Sequence, residues 1–269
     1  MRWSSRSAAL ALTLLLSACA TASRNPQDPL EPWNRKVFAF NESVDEHVLK
    51  PAATVYSNVV PRPVRTAADN FFGNVKDVWS AINLMLQGRF ADGAHDAMRF
   101  GANSVFGFFG IADVATEMGL ERQNEDFGQT LGKWGVPPGA YIVWPILGSS
   151  TVRDSVGLPI DLKASPESFV KHVPARNTML AVRTVNARAD LLGATKLLDE
   201  IVLDKYTFIR DAYLQRRRSL IYDGEPPDDD SSKDWSKPDS PAPAAPAASQ
   251  PADGKDKTED SPADTSGHS

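Results

Sequence analysis

From Asn70 to Gly88 the chain reads NFFGNVKDVWSAINLMLQG, and its apolar residues Phe71, Val75, Val78, Trp79, Ile82, Met85 and Leu86 return at three- and four-residue steps. That spacing gathers them on one face of an α-helix, and Gly88 stands where such a helix ends. A second stretch repeats the behaviour through Leu198, Ile201, Val202, Tyr206, Ile209 and Tyr213, with Lys, Asp and Arg between. The alternation of half-buried strands is nowhere sustained, and no longer internal repeat is evident. The pattern predicts an all-α fold in a single domain from residue 28 to residue 223, long enough to bury a core.

Two apolar stretches fit a soluble bundle poorly. NSVFGFFGIADV, from Asn103 to Val114, is punctuated by Gly107 and Gly110; WGVPPGAYIVWPILG, from Trp134 to Gly148, mixes Tyr, Trp and Ile with three prolines. Proline prevents a continuous helix through the second. Both stretches are core in an ordinary soluble protein, whereas Trp and Tyr also suit a membrane interface, where one end of the ring is apolar and the other wet.

The start of the chain bears on that choice. Arg2 and Arg6 precede an apolar run from Ala8 to Leu16, which is the anatomy of a signal peptide over residues 1–18 and too short for a membrane-spanning helix. The run ends in Leu16-Ser17-Ala18-Cys19, which resembles the bacterial lipobox, so the chain's only cysteine reads as a lipid attachment point that becomes the mature first residue. A single cysteine also rules out an intramolecular disulfide. Three acyl chains hold a protein to a bilayer effectively permanently, and Ala20 in place of an aspartate resembles an outer-membrane address. With residues 19–27 as an acylated linker, the two apolar stretches then favour lipid contact over core.

Residues 224–269 are rich in Pro, Ala, Ser and Asp and nearly free of large apolar side chains, so they are read as a disordered tail, most simply a solvated spacer. The tail carries 11 acidic residues against 4 lysines, so the whole-chain charge of −5 leaves the folded part near neutral once the leader is removed. A near-neutral domain argues against broad electrostatic capture of nucleic acid, which needs a basic face. Histidines stand only at 47, 95, 172 and 268, in no metal-ligand spacing, and no nucleophile elbow or phosphate-cradling loop appears. Glu125, Asp126 and Asp154 could meet as a carboxylate pair, although adjacent acidic residues more often cap helices. No catalytic residue, metal or cofactor is nominated, and any uphill step needs a partner.

The strings DPLEPWNRKVFAFN (28–41), LKPAATVY (49–56), VPRPVR (60–65) and RFGANSVFGFFGIADVA (99–115) resemble the MlaA (VacJ) family of outer-membrane lipoproteins. EDFGQTLGKWGVPPGAYIVWPILGSSTVRDSVG (125–157) is similar to that family's most recognisable block, and RADLL and YTFIRDAYLQRRR follow it near the end of the folded part. The resemblance implies a ring-like, all-helical monotopic domain lying in the outer membrane beside trimeric general porins. Such a protein passes misplaced phospholipids through a central amphipathic channel to a soluble periplasmic carrier, which feeds an inner-membrane ABC transporter.

It also implies a hairpin loop that controls the channel, and nominates Gly135, Gly139, Tyr141, Ile142, Trp144, Pro145, Ile146 and Gly148 as the channel and loop region. Pro137-Pro138 replaces a more glycine-rich stretch and stiffens that loop. Asp126 and Arg153-Asp154 are expected to fasten its two ends. Asn34-Arg35 either fixes the N-terminal segment or caps and salt-bridges a helix. Arg216-Arg217-Arg218 either meets headgroups or an acidic carrier, or complements a helix dipole. A lipid-anchored hydrolase would need converging nucleophile and base, and a structural tether an extended body.

Overall fold

The computed structural model of the protein describes residues 25–227. The leader, Cys19 with its linker up to residue 24, and the tail from residue 228 lie outside the described residues.

The described chain is mostly helical, as the periodicity predicts. Helix α1 (Glu31–Val44) runs through a π-helical turn (Asp45–Leu49) into α2 (Lys50–Val59). Pro51 lacks the N–H that would bond one turn back, and its ring crowds the carbonyl there, so the ladder widens just before it. Helix α3 (Arg62–Leu86) starts at Pro61 and ends where Gly88 turns the chain at φ 81°, the position the sequence marks. Helix α4 (Phe90–Val105) returns along α3, and the two pack closely enough that a Cβ on Gly93 would lie 2.9 Å from Met85 and 3.1 Å from the Ala81 carbonyl.

A loop and the short helix α5 (Val114–Glu117) lead to α6 (Phe127–Lys133), capped by the Asp126 carboxylate. Strands β1 (Tyr141–Trp144) and β2 (Gly148–Thr151) then form an antiparallel hairpin with Tyr141 opposite Thr151 and Trp144 opposite Gly148. The hairpin departs from the all-helical expectation. Its strands are four residues long, too short for alternation to show in the sequence, yet Tyr141 and Val143 face inward while Trp144 is exposed. Thr151 caps α7 (Val152–Ala164), and a 3-10 turn (Pro166–Phe169), α8 (Val173–Asp190), α9 (Leu192–Ile201) and α10 (Lys205–Ile221) complete the fold.

The C-terminal apolar series therefore belongs to two helices. They part at Val202–Asp204, where Leu203 stands fully exposed and the Asp204 side chain accepts from the Thr207 N–H to start α10.

The distribution of polarity is inverted relative to a water-soluble bundle. In α3 the buried residues are Asn74, Asp77, Ser80, Ala81, Asn83 and Leu84, while Val78, Ile82, Met85 and Leu86, members of the apolar stripe, are exposed. Arg99 on α4 is fully buried. It reaches Asp113 at 2.9 Å and Asp77 at 3.4 Å, and Asp77 also takes Arg122 at 2.7 Å. The apolar core is small and centred on Val37, Tyr141, Val143 and Tyr206, with Phe38, Tyr213 and Leu214 against it. Among the described residues no helix is long and apolar enough to cross a membrane.

Candidate functional site

The hairpin is held along its outer edge by two carboxamides of α1. Asn34, fully buried, donates from Nδ2 to the Tyr141 carbonyl at 2.9 Å and accepts the Val143 N–H on Oδ1 at 2.9 Å, so its side chain pairs with β1 as a peptide group would. Seven residues on, and so on the same helix face, Asn41 donates to the Trp144 carbonyl at 3.0 Å and accepts from the Ile146 N–H at 2.7 Å. The Tyr141 N–H goes to the Gln27 carbonyl at 3.0 Å, so the fold already includes a residue that the sequence places in the linker. An edge strand that would otherwise offer open backbone groups is thereby closed.

Asn34 thus joins the N-terminal segment to the hairpin, and its Nδ2 also donates to buried Asp28 at 2.9 Å. Arg35 takes the salt-bridging role, meeting Glu31 and Asp204 at 2.8 Å each. The Asn41 link was not visible in the sequence as a function; the spacing of two Asn by seven in a helix was its only signal.

At the base of the hairpin Arg217 on α10 binds Asp126 at 2.5 and 3.0 Å and Asp154 at 2.8 Å, and the Tyr213 hydroxyl donates to Asp154 at 2.8 Å. Burial alone would raise both carboxyls, but Arg217 outweighs it and holds each below its ordinary value. Asp126 and Asp154 therefore do come together, as a clasp across the loop's two ends rather than as an acid–base pair. Arg217, read from the sequence as either a headgroup contact or a dipole partner, turns inward because two carboxylates await it. Helices α6 and α7 cross so tightly above the clasp that a Cβ on Gly157 would sit 2.9 Å from the Gly128 nitrogen.

The nominated loop residues divide between interior and surface. Tyr141 is fully buried, its hydroxyl 2.8 Å from Ser149 Oγ, and Ile142 is half-buried. Trp144, Pro145 and Ile146 form an exposed tip with Leu147, where Ile146 takes φ 67° and Gly148 φ 81°. Trp144 is tied down by an indole N–H to Ser155 Oγ at 2.8 Å. Gly135 at φ 89° and Gly139 at φ 67° turn the chain between α6 and β1. The other apolar stretch is exposed too: Phe108 and Phe109 are 77% and 80% accessible and sit at φ 51° and 60°, in the left-handed region bulky residues avoid.

An Asn41→Ala substitution is expected to free the tip while leaving the clasp and core intact. Hydrogen exchange should accelerate at Ile146, with little change at Val143, whose N–H remains on Asn34, and with a stability loss of no more than about 1.5 kcal/mol. Acceleration spread across both strands would contradict this division.

Two cavities adjoin along α3 and α7, the first reaching α8 and the second α4. One, of about 420 Å³, is lined by Lys76, Trp79, Asp126, Asp161 and Arg183 among others; its neighbour, of about 560 Å³, is lined by Val75, Val78, Ile82, Phe100, Ile160 and Phe169, with Lys163 at its edge, and shares Trp79 and Ala164 with the first. A third, about 650 Å³, is a wholly apolar groove between α2 and α8 around Val55, Tyr56 and Val182. Among the described residues no group of His, Cys, Asp and Glu is arranged to hold a metal ion.

The family model for MlaA lipoproteins matches residues 26–220, nearly the whole described fold. The chain belongs to the MlaA lipoprotein family. It is 35% identical over 228 residues to the intermembrane phospholipid transport system lipoprotein MlaA of Shigella flexneri, covering 82% of this chain and 90% of the relative, and equally similar to that of Escherichia coli. The Haemophilus influenzae protein of the same name is 32% identical over 81% of this chain. A solved structure described as the structural basis for maintenance of bacterial outer membrane lipid asymmetry superposes with a TM-score of 0.64. It shares 34% identity and covers 72% of this chain and 98% of its own.

Proposed function

We propose that the protein is an outer-membrane lipoprotein, anchored through acylated Cys19 on the periplasmic side, that helps maintain lipid asymmetry. It withdraws misplaced phospholipids from the outer leaflet through an amphipathic passage in a ring-like body and delivers them to a soluble periplasmic carrier. Trimeric porins are its neighbours in the membrane, and an inner-membrane ABC transporter supplies the energy.

The observation that carries this reading is the inverted polarity. Apolar side chains on α3, on the Phe108–Phe109 loop and at the hairpin tip face outward, where hydrocarbon can receive them, while Asn, Asp and Arg are gathered inside. A phospholipid crossing a bilayer must carry its charged headgroup through hydrocarbon at a cost of several kcal/mol, and a polar-lined path lowers that barrier. The names of the relatives, which concern intermembrane phospholipid transport, support the same reading. On this reading the hairpin, clasped at its base and bonded at its tip by Asn41, controls passage.

The test is a deletion strain scored for phospholipid exposed on the cell surface. Surface phospholipid is expected to rise on deletion, to return to normal with the wild-type chain, and to stay high with Cys19→Ser. Unchanged surface phospholipid on deletion would refute the function, and full rescue by Cys19→Ser would refute the anchor.

A further inference from the structure

Lys76 is a cation without a carboxylate in ion-pairing reach among the described residues; its ammonium meets only the Asn124 Oδ1, at 3.5 Å. The side chain keeps accessible surface, and that surface opens into the 420 Å³ cavity. The protein nevertheless crowds it, and burial lowers its proton affinity. A lysine that is both accessible and crowded lines a concavity instead of extending into bulk water.

The other charges of this wall are largely committed. Asp126 is taken by Arg217, and Arg183 uses Nη1 on Glu167 at 2.9 Å while keeping its remaining donors. Asp161 accepts from the Trp79 indole at 2.8 Å and the Phe127 N–H at 2.9 Å, and burial raises its pKa. The cavity therefore offers an anion two cationic donors. Trp79 stands at its border, polar end on Asp161 and ring in the apolar cavity beyond, as an aromatic does at a membrane interface.

We infer that the two cavities together seat one glycerophospholipid, with its phosphodiester on Lys76 and Arg183 and its acyl chains along Val78, Ile82 and Ile160. This rests on the lipid-passage reading and gives it a resting point for the headgroup on the outer flank of α3, with the acyl chains on the side of that helix that faces hydrocarbon.

The experiment is equilibrium binding to the full acylated chain in detergent, using short-chain dihexanoylphosphatidylethanolamine, dihexanoylglycerol without phosphate, and inorganic phosphate as probes. Loss of a charge-assisted bond in Lys76→Gln is expected to weaken the phospholipid about tenfold or more. Lys76→Arg should hold affinity, and the exposed control Lys196→Gln should leave it unchanged. Dihexanoylglycerol should bind wild type and Lys76→Gln alike, which separates a lost phosphate contact from a damaged fold.

Unchanged phospholipid affinity in Lys76→Gln, or an equal loss toward dihexanoylglycerol, overturns the assignment. Competition by inorganic phosphate at equal affinity overturns it in favour of a free-phosphate site. Binding that depends on Lys76 in a protein whose deletion leaves surface phospholipid unchanged would defeat the transport reading and leave the site standing.

Discussion

Replacing Arg217 with methionine should destabilise the fold by about 3–5 kcal/mol, since removing one partner leaves buried charge uncompensated. Asp154 would keep Arg153 at 2.9 Å and Tyr213 at 2.8 Å, but Asp126 would lose its strongest partner. The pH dependence gives the effect its signature. In the wild type both carboxyls lie below their ordinary value, so their contribution is present above the unfolded value of about 3.9 and is lost as pH falls through the depressed folded value.

In the variant, burial acts without Arg217 and pushes Asp126 up, so its contribution is lost as pH rises through the raised value. The stability gap between the two proteins should therefore narrow as pH is lowered from 7 toward 4, as read by denaturant unfolding in detergent. Adding Asp126→Asn to Arg217→Met should recover most of the loss, since Asp154 still has Arg153. A gap independent of pH would show that Arg217 acts through packing alone.

Exchanging Phe108 and Phe109 for asparagine should do the reverse, leaving stability at or above the wild-type value while removing membrane affinity. Asparagine accepts positive φ at far lower cost than phenylalanine, and neither ring is buried in the fold. If both rings enter hydrocarbon, each contributes about 1.5–3 kcal/mol. A form of the chain beginning at Ala20, and so without acyl chains, should lose at least about tenfold in binding to phospholipid vesicles. Equal vesicle binding with a lowered melting point would assign the loop to structure.

How far the fold was legible depended on which physical signal each element left. Helix α3 announced itself through its stripe and its glycine stop, and both survive in the structure. Which way the stripe faces is not a property of periodicity, because an amphipathic pattern fits a polar core in an apolar surround as well as the converse. The four-residue strands were too short to show a period, and their edge is closed by asparagines on a distant helix. Arg217 was hidden for a similar reason: its two carboxylates lie 91 and 63 residues away in sequence. The break before α10 does leave a mark in the sequence, since an aspartate such as Asp204 just ahead of the periodic residues is a helix-start residue.

The outward-facing side chains of α3 carry one more implication. A soluble protein sheds water from its apolar atoms by folding; here Val78, Ile82, Met85 and Leu86 stay partly exposed afterwards. Folding therefore completes only half of their transfer, and the surrounding medium must complete the rest. The stability of this chain is then a joint property of protein and solvent, and its native state in plain water is a sticky surface seeking a partner. On the proposed route to a bilayer, such an exterior has to be shielded from synthesis onward, by an escort or by delayed folding.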